Sequence, residues 1–135
     1  MKAALGQTDS IKVFGTDYPT RDGSAIRDYI HVVDLARAHV QALTQLLKTG
    51  KSNTYNLGSG AGNTVLEVIE TAKQVSGVDF KVELLERRAG DPAAIWADNT
   101  KAQRELGWQP NYNLHTIVKT AWDWHRTQLY SPLPK

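Results

Sequence analysis

An α/β fold is what this 135-residue chain predicts, on three observations. Short runs of β-branched and aromatic residues alternate with amphipathic stretches at helical spacing, as strands and helices taken in turn would. Thr64-Val65-Leu66-Glu67 reads as a capping box: the Thr oxygen accepts from the N3 amide while Glu reaches back to the cap N–H. Glycines at 50, 77 and 107 stand just past three amphipathic runs, where helices stop.

Taken in order, residues 1–5 read as the last turn of a helix with Gly6 at its C′ position. Such an opening suggests a start inside a longer gene. Residues 11–14 alternate as a strand, and 15–23 form a loop punctuated by Pro19 and Asp22-Gly23. A second strand is expected at 29–32. Asp34 then starts a helix to about Lys48 whose buried face is Leu35, Ala36, Val40, Leu43 and Leu47. A strand at 54–57 precedes Gly58-Ser59-Gly60-Ala61-Gly62. The helix capped by Thr64 buries Val65, Val68, Ile69, Ala72 and Val75. Strands at 81–85 and 95–97 flank a loop at 87–92. Asn99 or Thr100 caps a brief helix ending at Gly107. Asn113 caps the last one, whose face is Leu114, Ile117, Val118, Ala121, Trp122 and His125, before a loose tail marked by Pro132 and Pro134. No internal repeat is visible.

Composition narrows the function classes. At 41% hydrophobic, the chain can supply a core, and a free-standing domain of this length buries roughly two-thirds of its unfolded surface. A net charge of +2 with interspersed signs lacks the basic stripe of a nucleic-acid binder. Four Trp and five Tyr argue against disorder. There is no cysteine for a disulfide or thiolate metal site, no apolar run near the ~20 residues of a membrane span, and no signal peptide at the N-terminus. A cytoplasmic protein is expected.

Among candidate chemical groups, the glycine run follows a strand and precedes a helix, as a phosphate loop should. Its spacing is GxGxG, however, and no Lys-Ser/Thr pair follows, so a tight strand-to-helix turn is the better reading. His31, His39, His115 and His125 are scattered and read as structural or surface histidines, with no metal site. Two Arg/Asp clusters remain: Arg27-Asp28-Tyr29-Ile30-His31, and Arg87-Arg88-Ala89-Gly90-Asp91 in a Gly/Pro loop. Two guanidinium groups converging from two loops would suit a diphosphate, with a carboxylate beside them for ribose hydroxyls. Residue types alone favour ordinary salt bridges that tie loops down.

The order of the segments carries a resemblance. Val13-Phe14-Gly15-Thr16-Asp17-Tyr18-Pro19-Thr20, Asp22-Gly23, Arg27-Asp28-Tyr29-Ile30-His31-Val32, Tyr55-Asn56-Leu57-Gly58-Ser59-Gly60, Arg87-Arg88-Ala89-Gly90-Asp91-Pro92 and Glu105-Leu106-Gly107-Trp108 together resemble the UDP-glucose 4-epimerases, from about Leu5 to His125. These are extended short-chain dehydrogenases/reductases. The resemblance implies a small mixed α/β substrate-binding domain over residues 1–135, without the N-terminal Rossmann core, and with 54–57 joining the sheet of that core. It implies that Phe14 meets the uracil through its backbone, that Arg27 and Arg88 bind the diphosphate, that Asp91 takes ribose hydroxyls, and that Tyr29 and Val65 line the nucleotide-sugar pocket. In the family a bound NAD and a Tyr-x-x-x-Lys motif interconvert UDP-glucose and UDP-galactose, as in galactose metabolism.

This sequence has no GxxGxxG fingerprint, and no Tyr is followed four places on by Lys. The expectation is therefore no catalytic residue and no NAD on this chain, at most weak UDP-sugar binding, and a tendency to form homo-oligomers. The alternatives are a non-catalytic folding or oligomerisation module, or part of a related nucleotide-sugar epimerase or dehydratase.

Overall fold

The computed structural model describes residues 1–128, so the tail expected at Pro132 and Pro134 lies outside the described residues. The element order is β1 (Ile11–Phe14), β2 (Ile26–Arg27), α1 (Val32–Thr49), β3 (Asn63–Thr64), α2 (Val65–Ser76), β4 (Val82–Leu85), α3 (Thr100–Leu106) and α4 (Leu114–Gln128). β1 and β4 pair in parallel, with Ile11 opposite Val82 and Phe14 opposite Leu85. β2 and β3 pair antiparallel, with Arg27 opposite Asn63. The result is the mixed α/β class expected, with two small two-stranded sheets among the described residues.

Two apolar clusters hold these elements. In the first, α2 and α4 pack on β1: Val13, Ile69, Ala72, Phe80 and Val118 are buried together with Ala4. In the second, Ala38 of α1 and Ala102 of α3 close around Trp108, which is fully buried. The indole N–H of Trp108 donates to the Asp34 carbonyl at 2.8 Å. The Asp34 carboxylate, itself buried, accepts from the amides of Asn111 and Tyr112 at 2.9 and 3.1 Å. A buried carboxylate is tolerated here because these amides satisfy Oδ2 and Arg37 Nη1 donates to Oδ1 at 3.2 Å.

Local signals behave as read where they are self-contained. Thr64 accepts from Glu67 N and Glu67 bonds back to Thr64 N, completing the capping box. Gly50, Gly77 and Gly107 all adopt the left-handed C-cap conformation. Leu5 N bonds Met1 O ahead of a left-handed Gly6, as a terminal helical turn does.

Several expectations need correction. The strand placed at 29–32 lies upstream at Ile26–Arg27, and α1 begins at Val32 with His31 as its cap, accepting from Val33 N through Nδ1 at 3.1 Å. Asp34 does not cap, because its carboxylate is already spent on the 111–112 amides. The strand at 95–97 reduces to one bridge between Ile26 and Ala94, since Ala97 N donates to the Asp28 side chain instead of a ladder.

Residues 54–57 form no ladder among the described residues, although Tyr55 and Leu57 turn inward onto the Trp108 cluster while Thr54 and Asn56 point out. A further correction concerns the face of α1. Leu35, Ala36, Val40, Leu43 and Leu47 are exposed, Leu47 by 78%.

Candidate functional site

The site draws on the end of β1, on β2 and on the loop that follows β4. β2 places Arg27 opposite Asn63 of β3. Its Nη1 donates to the carbonyls of Ile26 and Pro92 at 2.8 and 2.9 Å. That leaves the Nη2 edge aimed at Asp91, whose Oδ1 is 3.9 Å away. Downstream of β4, Asp91 N closes a turn onto Arg88 O at 3.3 Å, with Gly90 left-handed at φ +83° in its third position. The turn brings Arg88 and Asp91 face to face: Arg88 Nε donates to Asp91 Oδ2 at 3.0 Å. The Arg88 guanidinium lies over the Phe14 ring, 4.4 Å from its centroid.

Arg27, Arg88, Asp91 and Phe14 thus form one cluster from three segments. The salt bridge Arg88–Asp91 exists, as the plainer reading of the residues requires. It is nonetheless one leg of a convergent pair, since Arg27 reaches the same carboxylate. Arg88 is 63% exposed and held mainly by side-chain partners, so an oxyanion can compete with Asp91 for it.

The other two expected site residues sit elsewhere. Tyr29 lines a concavity of about 380 Å³ with Ser59, Asn63 and Tyr112. Burial raises its phenol above the ordinary range, against a smaller lowering by Arg27. Val65 opens α2 and packs on the core. A larger, apolar concavity of about 510 Å³ lies between His31, Val32 and the α4 residues Ile117, Ala121 and Trp124, away from the arginines. His31 holds its edge: Nδ1 accepts from Val33 N, so Nε2 carries the proton toward Thr120 Oγ1 at 2.8 Å.

The glycine run does not fit a dinucleotide pyrophosphate. Ser59 N is spent on Asp28 Oδ1 at 2.7 Å, and Gly62 N on Ser59 Oγ at 3.0 Å. The first amides of α2 are capped, and the Glu67 carboxylate occupies the place an anion would take. A Cβ on Gly58 would stand 2.3 Å from Asp28 Oδ2, so this glycine serves packing.

Sequence reasoning missed Asp28 as a tie. Its two oxygens join the glycine turn to Ala97, and the signal for it was a carboxylate beside a β-bridge, which many sequences carry. It also missed the pairing of Arg87 with Tyr18, 4.1 Å from guanidinium to ring centroid.

With this geometry in place, the comparisons define the class. The family model described as GDP-mannose 4,6 dehydratase matches residues 1–121, and the chain belongs to that family, a group of extended short-chain dehydrogenases/reductases. Within it, the likeness is to UDP-glucose 4-epimerase. The enzyme of that name from Halalkalibacterium halodurans is 51% identical over 127 residues, covering 93% of this chain and 38% of that protein. A crystal structure of a UDP-glucose 4-epimerase superposes with a TM-score of 0.94 at 45% identity, covering 98% of this chain and 41% of that one. The enzyme from Stenotrophomonas maltophila, with bound NAD and formylated UDP-arabinopyranose, gives a TM-score of 0.91 at 43% identity over 96% of this chain and 38% of that one. The chain spans about 38% of the length of the curated relatives it matches. Among the described residues, no helix is long and apolar enough to cross a membrane, and no cluster of His, Cys, Asp or Glu is placed to hold a metal ion.

Proposed function

We propose that this chain provides the nucleotide grip of an NAD-dependent UDP-glucose 4-epimerase, binding the UDP part of a UDP-sugar. The observation that carries this reading is the convergence of Arg27, from β2, and Arg88, from the loop after β4, on one carboxylate beside the Phe14 ring. In this reading the two guanidinium groups exchange Asp91 for the diphosphate, and Asp91 turns to the ribose hydroxyls. Tyr29 lines the approach to the sugar, whereas Val65, expected there too, packs on the core at the start of α2. No proton or hydride step is assigned to these residues. No NAD contact is assigned to these residues, because the amides of the glycine run are already spent within the fold. The grip would hold the nucleotide while the hexose is left free to turn, which places binding energy away from the reacting carbon.

Calorimetric titration with UDP and with uridine tests the proposal. UDP binds more tightly than uridine, at roughly millimolar to high-micromolar affinity, about −4 to −6 kcal/mol, because the exposed site screens each charge-assisted contact. Arg88→Ala abolishes binding and Asp91→Asn weakens it less. Unchanged binding in Arg88→Ala would overturn the assignment. Titration with GDP separates this reading from a related nucleotide-sugar epimerase or dehydratase with another base.

A further inference from the structure

We infer that Tyr18 and Arg87 are positioning residues that set Arg88 in place before nucleotide arrives; the inference rests on the nucleotide reading above. The chain leaving β4 sends two consecutive guanidinium groups onto two different rings. Arg87 lies 4.1 Å from the Tyr18 centroid, and Arg88 lies 4.4 Å from that of Phe14. Arg87 is further tied to Asp17: Nε donates to Oδ1 at 2.6 Å, and Nη2 donates to the Asp17 carbonyl. The backbone of Arg88 is thereby fixed from the residue before it.

Each part of this arrangement has a local cause. Phe14 ends β1, and Gly15 at φ +84° turns the chain sharply after it. A Cβ on Gly15 would lie 2.5 Å from the Tyr18 ring and 2.7 Å from Arg87 Cγ, so the stack closes against bare backbone. Tyr18 is buried, with its N bonded to Gly23 O and its O accepting from Thr20 N. Its hydroxyl is buried without a hydrogen-bond partner among the described residues, so the ring is what the arrangement uses. The loop is anchored in turn on the start of α2, through Arg21 to Glu67 and Thr64 to Asp22. A continuous path of contacts therefore runs from α2 to Arg88. The Arg87–Asp17 pair is exposed and contributes little to stability. Its effect lies in ordering, ahead of binding, a side chain that ligand would otherwise have to immobilise.

Titration of the full chain with UDP and uridine, alongside thermal melts, tests this in Tyr18→Phe, Tyr18→Leu and Arg87→Lys. Tyr18→Phe keeps wild-type affinity. Tyr18→Leu and Arg87→Lys bind UDP about three- to tenfold more weakly, the change expected when one long side chain is ordered during binding instead of before it. Uridine affinity stays constant, so the UDP-to-uridine ratio falls, which a general loss of structure would not produce. Arg87→Lys is at an exposed position and keeps the charge, so it decides the matter if Tyr18→Leu does not fold. Equal losses for UDP and uridine, or an unchanged ratio in Arg87→Lys, would overturn the inference while leaving the nucleotide reading standing. Absence of UDP binding by the wild type overturns both.

Discussion

α1 and α2 carry equally clear amphipathic patterns and meet different fates. α2 buries Ile69 and Ala72 against β1 and α4, with Val65, Val68 and Val75 packed around them. α1 is half as long again, yet it buries Asp34 and Ala38 while Val40, Leu43 and Leu47 face solvent. Its sheltered side is the narrow one that meets α3 and Trp108. Hydrophobic periodicity states which face of a helix gains from burial. It does not state whether the same stretch of chain holds the surface that covers it.

The sharpest way to break this comparison is a pair of truncations. Ile69→Ala removes a buried branched side chain from a packed cluster and is expected to cost about 2–5 kcal/mol. Leu43→Ala, on the open face, should stay within about 0.5 kcal/mol. Urea midpoints of the two variants measure the difference, and equal losses would mean that the α1 face is covered in solution.

Covering by a second copy is the next test. Exposed apolar side chains in one stripe favour association, so light scattering at rising concentration should give masses above that of the monomer. Leu43→Glu with Leu47→Glu should return the chain to monomer mass, because a charge on each turn makes burial of the stripe unfavourable. A wild type that stays monomeric at high concentration would show that the stripe attracts no second copy.

The smallest expected effect concerns the cap of α2. The hydrogen bond from Arg21 holds the Glu67 carboxyl below its ordinary range; burial works the other way, and the Thr64 amide adds to the lowering. At Asp22, burial would raise the carboxyl, but hydrogen bonds from Thr64 and Ser24 outweigh it. A carboxyl lowered in the folded state adds stability that is present above its unfolded value and lost as pH falls through the folded one. The urea midpoint should therefore start to drop as pH falls through the ordinary carboxylate range, about pH 4, and keep dropping below it. Glu67→Gln, which preserves the capping geometry, should flatten that slope. A slope identical to wild type would place the acid sensitivity elsewhere.

What was legible in the sequence follows the range of each interaction. Caps and stops, such as Thr64 with Glu67 and the glycines at 50, 77 and 107, are completed within a few residues and are formed as read. The start of α1 was misplaced because two side chains exchanged roles. His31 caps, and Asp34, the better capping type, is drawn to amides 77 and 78 positions away. Arg27, Arg88 and Asp91 were legible as residue types in the right order, and the structure adds that they meet. The Tyr18–Arg87 stack was not legible. It joins two loops far apart in sequence, and nothing in either loop alone names its partner.

Trp108 gives the molecule an optical consequence. Its indole is sealed between α1 and α3 and donates to the Asp34 carbonyl, whereas Trp96 and Trp124 are about half exposed. Emission from the sealed ring lies toward the blue and is shielded from a dissolved quencher such as iodide, while the two open rings are not. Trp122 is partly buried against the other core cluster, so in a Trp122→Phe background the docking of α1 on α3 can be followed by fluorescence, without an added label, as a shielded component that vanishes when the two helices part.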